Sequence, residues 1–191
     1  MPSLKDLRNR ISSVKSTKKI TSAMKMVAAA KLKRAQDKVT ELRPYSNKLN
    51  EILSNLSDSI SNVLFEQRDV KNKLFIVVAS DKGLCGSFNS NIFKLFNTVS
   101  ENNNDHLDSI NILPIGKKAY DFFKKKDYNV IDQFWNTLNG FSYADASNIF
   151  DYVQDEYLNN NIDQVHIIYN EFKNVAVQNS VVEKFLPVEN N

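Results

Sequence analysis

Glycine is missing from the first 64 residues of this 191-residue chain, and Pro44 is the only proline between Ser3 and Leu64. Nothing in that stretch interrupts a helix except the one proline ring. Cysteine occurs once, at Cys85, which excludes an intrachain disulfide and favours a reducing compartment. The two histidines, His106 and His166, are far apart, and no cluster has the ligand spacing of a metal site. No apolar run nears the roughly 18 residues that span a bilayer. The opening Met1-Pro2-Ser3-Leu4-Lys5-Asp6 lacks the apolar core of a secretory signal, and its early acid argues against an organelle presequence.

What is present is a core-forming composition, 42% hydrophobic and 10% aromatic, with a divided charge. Residues 1–48 hold 13 Lys or Arg against three acids, Asp6, Asp37 and Glu41. Residues 49–191 hold 12 basic and 19 acidic residues. The basic part reads as one helix from Ser3 to about Leu64, with Ser3 as N-cap and Asp6 closing a capping box. A helix of about 60 residues is about 90 Å long. The remaining 127 residues make a domain with a radius of gyration of about 14 Å. Most of the helix is therefore expected to project and to need partners, and its basic charge asks for an acidic one.

The apolar stripe of this helix does not keep one face. Leu4, Leu7, Ile11 and Val14 form a first register, which fails at Lys18 and Thr21. Ile20, Met24 and Val27 lie roughly on the opposite side at 100° per residue. A third register follows through Ala28, Leu32, Ala35, Val39 and Leu42, then Leu49, Ile52, Leu56, Ile60 and Val63. A single neighbour permits only slow drift, so a jump implies different neighbours at different heights. A coiled-coil strand with a stutter fits the same pattern. Around the jump lie small or hydroxylic residues, Ser12, Ser13, Ser16, Thr17, Thr21, Ser22 and Ala23. The strong periodicity on both sides of Pro44 favours a kinked continuation over a break.

After Lys71 the period changes. Leu74–Ala79 is a continuous apolar run, the pattern of a strand covered on both faces. A turn over 81–89 opens a helix from Asn91 to about Val99, and an Asn-rich loop covers 101–109. The spacing then predicts a strand at Ile110–Ile115, a helix at Lys117–Lys126 with Tyr120, Phe122 and Phe123 inward, and a strand at Val130–Trp135. A helix at Ser142–Leu158 and strands at Val165–Tyr169 and Val175–Leu186 complete the pass. The fold class is α/β: a long N-terminal helix of coiled-coil type, residues 1–66, plus a Rossmann-like, mostly parallel domain of about five strands, residues 73–188.

Candidate chemistry is sparse. Gly83-Leu84-Cys85-Gly86 lies between a strand and a helix, where phosphate-binding loops sit. Its glycines match neither the dinucleotide pattern nor a Walker loop, and a tight turn needs such residues anyway. Cys85 has Lys82 near in sequence but no histidine, so a small, half-buried residue is the stronger reading than a nucleophile. His106 reads as solvated and His166 as structural. The acids Asp81, Asp145 and Asp155 form no pair. The lysines and arginines spread around the helix, unlike the segregated faces of a membrane-surface helix. The first aromatic is Tyr45, unlike the interleaving of a nucleic-acid binder. No catalytic residue, cofactor or metal is expected.

The stretch Lys18-Lys19-Ile20-Thr21-Ser22-Ala23-Met24-Lys25-Met26-Val27-Ala28-Ala29 resembles the N-terminal helix of the γ subunit of F-type ATP synthase. So does Lys5-Asp6-Leu7-Arg8-Asn9-Arg10-Ile11, with Arg43-Pro44-Tyr45 where that family has the same triplet. Ser80-Asp81-Lys82-Gly83-Leu84-Cys85-Gly86-Ser87-Phe88-Asn89, Ile115-Gly116-Lys117-Lys118 and Val165–Asn170 are similar to its later motifs. The resemblance covers nearly the whole chain.

The resemblance implies a central rotor shaft without catalytic residues. Its partners would be three α and three β subunits, the ε subunit and the c-subunit ring, with no nucleic acid and the membrane reached only through the ring. Proton flow through that ring would be coupled to ATP synthesis or hydrolysis on the β subunits. It places Ile20, Thr21, Met24, Lys25, Met26 and Val27 nearest the moving ends of the β subunits, with Lys25, Lys31, Lys33 and Arg34 facing acidic β loops. The expected location is peripheral, on the cytoplasmic side of a bacterial inner membrane, with the mitochondrial matrix side as alternative. That family carries a second long helix after its sheet, and this chain stops at Asn191. The expectation is a truncated shaft that does not transmit torque alone. The alternatives are a nucleotide-binding α/β domain whose basic helix docks an acidic partner, and a nucleic-acid adaptor.

Overall fold

The computed structural model describes residues 3–57, 62–101 and 109–188, with the backbone alone for 53–57. The chain divides into two compact units, Met1–Asp58 and Ser59–Asn191. Ile60, His106, the Asn-rich segment 102–108 and the side chain of Leu56 lie outside the described residues.

The first unit is one helix, α1, Leu4–Ser57, 54 residues and thus about 81 Å long. Its start is fixed as the sequence reads. Ser3 Oγ accepts from the Asp6 N–H at 3.2 Å, and the Asp6 carboxylate accepts from the Ser3 N–H at 3.0 Å and its hydroxyl at 2.7 Å. These bonds, the side-chain one foremost, lower the Asp6 pKa. Helix continues across Pro44. It does not reach Leu64: Asn62 is extended (φ −136°, ψ 141°), and its side chain accepts from the Leu64 N–H at 3.0 Å to start a 3-10 turn, Val63–Phe65. Leu64 packs against the core of the second unit, and its carbonyl accepts from the Val188 N–H at 2.8 Å.

The second unit is a five-stranded sheet with helices on both faces. Its elements are β1 (Asn72–Val78), α2 (Phe88–Glu101), β2 (Ser109–Ile115), α3 (Lys117–Phe123), β3 (Asn129–Val130), α4 (Tyr143–Leu158), β4 (Gln164–Phe172) and β5 (Gln178–Leu186). The strand order is β3-β2-β1-β4-β5. All neighbours are parallel except β4 and β5, which form an antiparallel hairpin. β1 is central, and its residues 73–77 are buried, which is why its sequence is apolar without alternation.

Successive β1 side chains serve opposite layers. Leu74 and Ile76 join Ile149, Val153 and Tyr157 of α4. Phe75 and Val77 join Ile92 and Phe96 of α2 and Ala119 and Phe123 of α3. Rings fill this second layer edge to face, Phe75 on Phe96 at 5.3 Å and Phe96 on Phe123 at 4.8 Å, a packing that adds about 1 kcal/mol per pair beyond burial.

In the second unit α2 starts at Phe88, ahead of the expected Asn91, and β4 runs on to Phe172, past the expected Tyr169, and three further elements differ from the sequence reading. The strand expected at Val130–Trp135 is only Asn129–Val130: the Trp135 carbonyl accepts from Gly116 N at 2.9 Å, and its indole stacks on Tyr120 at 5.1 Å. α3 stops at Phe123 instead of Lys126, with Lys124 as C-cap. β5 starts at Gln178 instead of Val175, because Asn174 Oδ1 accepts from the N–H groups of Ala176 and Val177, both at 2.9 Å, and closes a turn.

Candidate partner-binding surface

Among the described side chains of α1, every apolar one except the half-buried Val39 is exposed. Ile20 is 62% exposed, Met24 and Met26 both 66%, and Val27 57%. Leu4, Leu7, Ile11 and Val14 are exposed as well. Because the helix is unbroken, 100° per residue sets their directions. Ile20, Met24, Val27, Lys31 and Arg34 fall on one face about 80° wide. Thr21 and Lys25 lie about 100° and 140° round from its centre on one side, and Met26 and Lys33 about 120° and 140° round on the other. The nine residues singled out in sequence are therefore one face plus two flanks, and one flat partner cannot touch them all.

Charge and hydrogen bonding on this surface are mostly self-contained or open. Lys33 pairs with Asp37 at 3.3 Å, one turn on. Lys25, Lys31 and Arg34 have no carboxylate within 4.0 Å among the described residues. The Thr17 hydroxyl donates to the Ser13 carbonyl at 3.0 Å and Thr21 to Thr17 at 2.6 Å. These hydroxyls satisfy themselves on their own helix. The face thus offers apolar area and unpaired positive charge.

In the second unit, Gly83, Leu84, Cys85 and Gly86 are all exposed. Leu84 and Gly86 both have φ +60°, the left-handed conformation in which a non-glycine residue is uncommon. Cys85 lies between them and is exposed, not half-buried as its sequence context suggested. Two left-handed residues swing the loop outward and take the thiol with it. Its neighbours are Asn89 Nδ2 at 3.3 Å and the Ser80 hydroxyl at 3.8 Å. Lys82 contributes its carbonyl, 3.9 Å from Sγ.

The hub of this turn is Asn89, which sequence reasoning passed over. Its Oδ1 accepts from the Ser80 N–H at 3.0 Å, and its amide donates to the Ser80 hydroxyl at 2.8 Å. Asn89 is in the first turn of α2, and an Asn there two residues after Ser87 was the available signal. In the sequence Gly116 signals only a turn. It has φ +97°, and a Cβ there would meet the Ala79 carbonyl oxygen at 2.1 Å. Asp81 Oδ1 accepts from the Lys117 N–H at 3.1 Å, so the ends of β1 and β2 are laced together. His166 stacks on Phe75 at 5.4 Å within the sheet. Among the described residues no three of His, Cys, Asp or Glu come together as a metal site, and no helix is long and apolar enough to cross a membrane.

A long basic helix with exposed apolar residues, followed by a mostly parallel α/β unit whose polar turns close on themselves, defines a protein of helix-plus-sheet type. The sequence profile described as ATP synthase matches residues 3–191. This chain belongs to the ATP synthase gamma-chain family. It is 43% identical over 197 residues to the ATP synthase gamma chain of Chloroherpeton thalassium, covering 98% of this chain and 64% of the relative. Against that of Cytophaga hutchinsonii the identity is 44%, covering 99% of this chain and 66% of the relative. The chain thus spans just under two thirds of the length of these two relatives. The central stalk and c ring of the Tetrahymena thermophila mitochondrial ATP synthase contains a similar chain: TM-score 0.57, 28% identity, 88% of this chain and 72% of that one. The rotor of the Euglena gracilis mitochondrial ATP synthase shares the fold at 19% identity, TM-score 0.61, with 94% of this chain and 61% of that chain covered.

Proposed function

We propose that this chain is a non-catalytic central-stalk rotor subunit of an F-type ATP synthase. In this reading α1 is the shaft and the α/β unit is the foot, and the shaft passes rotation from the c ring to the catalytic β subunits. Three α and three β subunits surround the shaft, and ε and the c ring hold the foot. The membrane is reached only through that ring, on the cytoplasmic side of a bacterial inner membrane. Proton flow through the ring turns the shaft and drives ATP synthesis, or hydrolysis drives it in reverse.

The observation that carries the reading is α1 itself: 54 helical residues with exposed apolar side chains at Leu4, Ile11, Ile20, Met24 and Val27. The first and second apolar registers point about 150° apart on one unbroken helix. A static partner needs one stripe; a shaft meeting several surfaces at successive heights needs more than one. Exposed ion pairs are worth about 0–1 kcal/mol, so contacts through Lys25, Lys31 and Arg34 can be made and broken repeatedly. Ile20, Met24, Val27, Lys31 and Arg34 form the principal face toward the β subunits, with Thr21, Lys25, Met26 and Lys33 met at other angles.

The test is assembly. The chain is mixed with purified α and β subunits and run on a sizing column. Co-elution at one copy per three α and three β subunits supports the reading. Elution as a free chain at micromolar concentrations of all three subunits overturns it.

A further inference from the structure

The second unit contains a cavity that the stalk reading does not use. It lies between α4 and the sheet and has a volume of about 180 Å³. Ile76, Val78, Ile115 and Ile167 form its floor, and Ala146, Ile149, Phe150 and Val153 of α4 form its roof. Phe141 and Phe185 complete the lining, so every lining residue is apolar. Phe150 meets Phe185 edge to face at 6.1 Å, giving one wall of ring edges. Phe141 at 46% exposed and Phe150 at 37% mark the side open to solvent.

We propose that this cavity is a binding site for a small, neutral, apolar molecule of one or two rings or the equivalent aliphatic size. Volume sets the size: a closed apolar cavity of about 150 Å³ already holds benzene. Chemistry sets the class. A bound water needs two to four polar partners, and the lining side chains offer none. The backbones of β1, β2 and β4 in the floor are engaged in the sheet ladder. A peptide segment would leave its own amides unsatisfied here, at about 1–3 kcal/mol each, and a carboxylate or ammonium would be worse off. An aromatic hydrocarbon loses nothing on entry and gains ring contacts with Phe150 and Phe185.

The test uses the full chain with toluene as probe and benzoate as its charged counterpart of similar size. Methyl resonances of Ile149, Val153 and Ile167 are followed by NMR during titration. The expected result is saturable shifts at these methyls with toluene and none with benzoate. Ala146 lines the cavity from an exposed helical position, so Ala146→Leu fills the opening while keeping a strong helix former. Toluene affinity should fall at least about tenfold in that variant. Absence of saturable shifts in the unmodified chain overturns the proposal, and that reading depends on no variant. So do equal shifts with benzoate, shifts confined to other methyls, or unchanged affinity in a folded Ala146→Leu protein. None of these outcomes bears on the stalk reading, whose test is assembly.

Discussion

The Arg68 guanidinium lies 4.2 Å above the centre of the Tyr157 ring and donates to the Tyr157 carbonyl at 2.9 Å. One side chain thus covers the ring and occupies a carbonyl in the last turn of α4, with Asn160 Oδ1 as a further acceptor at 2.9 Å. Beside it, Asp163 Oδ2 accepts from the N–H groups of Lys71 and Asn72 at 2.9 and 2.8 Å. The approach to β1 is therefore clasped to the end of α4. Arg68→Met keeps most of the stem and removes the charge and donors. The expected loss is about 2 kcal/mol, read as a lower urea midpoint with unchanged slope.

Gly116 and Gly140 separate two costs of a glycine substitution. Both have positive φ, +97° and +87°, but only at Gly116 does a Cβ meet backbone, the Ala79 carbonyl oxygen at 2.1 Å. Around Gly140 nothing lies within 4 Å. Gly140→Ala should cost about 1–2 kcal/mol from backbone conformation alone. Gly116→Ala should cost at least about 3 kcal/mol, since the ends of β1 and β2 must part. Thermal unfolding of the two variants beside the parent protein measures the difference.

The capping box of α4 predicts an acid limb in stability. The Asp145 carboxylate accepts from the Ser142 hydroxyl at 2.6 Å and its N–H at 2.8 Å, and these bonds lower its pKa below the ordinary 3.8. A depressed folded pKa means stability present above the unfolded value and lost as pH falls through the folded one. Melting temperature should therefore drop below about pH 4. Asp145→Asn should flatten this limb. An acid limb identical in the two proteins would refute the assignment.

At the alkaline end the hairpin titrates in the opposite sense. Tyr169 donates to Glu183 Oε1 at 2.8 Å. Burial, then the Glu183 hydrogen bond and charge, raise its pKa well above the ordinary 10.0. A raised folded pKa gives stability present below the unfolded value and lost as pH rises through the folded one. In a 295 nm titration Tyr169 should ionise late among the seven tyrosines. Glu183→Gln should bring it part of the way back, because burial remains.

On α1 the charges are unequal. Lys31 and Arg34 share the Ile20 face without a carboxylate partner, whereas Lys33 is on the far side and already paired with Asp37. With an acidic partner bound, Lys31→Gln and Arg34→Gln should each weaken assembly about two- to fivefold at low salt. Lys33→Gln should change it less. Neutralising Lys25, Lys31 and Lys33 together with no change in affinity or turnover would remove the electrostatic part of the shaft reading.

Local signals in the sequence were enough where one force acted alone. β1 is visible as an apolar run, and Ser3 as a cap, because burial and capping need only neighbours in sequence. The third strand failed because Val130–Trp135 looks like a strand until tertiary contacts intervene. Trp135 is taken by Gly116 and Tyr120, which no local pattern reveals. Cys85 was misjudged because positive φ at Leu84 has no sequence signature, unlike Gly86. Within the candidate surface, the residue types were legible, but their division into one face and two flanks needed an unbroken helix across the whole stretch.

Thr17 and Thr21 direct their hydroxyls inward to their own backbone. What remains outward at these two positions is methyl, so the threonines themselves offer a neighbour little directional stickiness. A neighbour turning past the two threonines would have no hydroxyl bonds to strip at one orientation and restore at another. Slip there would dissipate little work, whichever protein provides the sleeve.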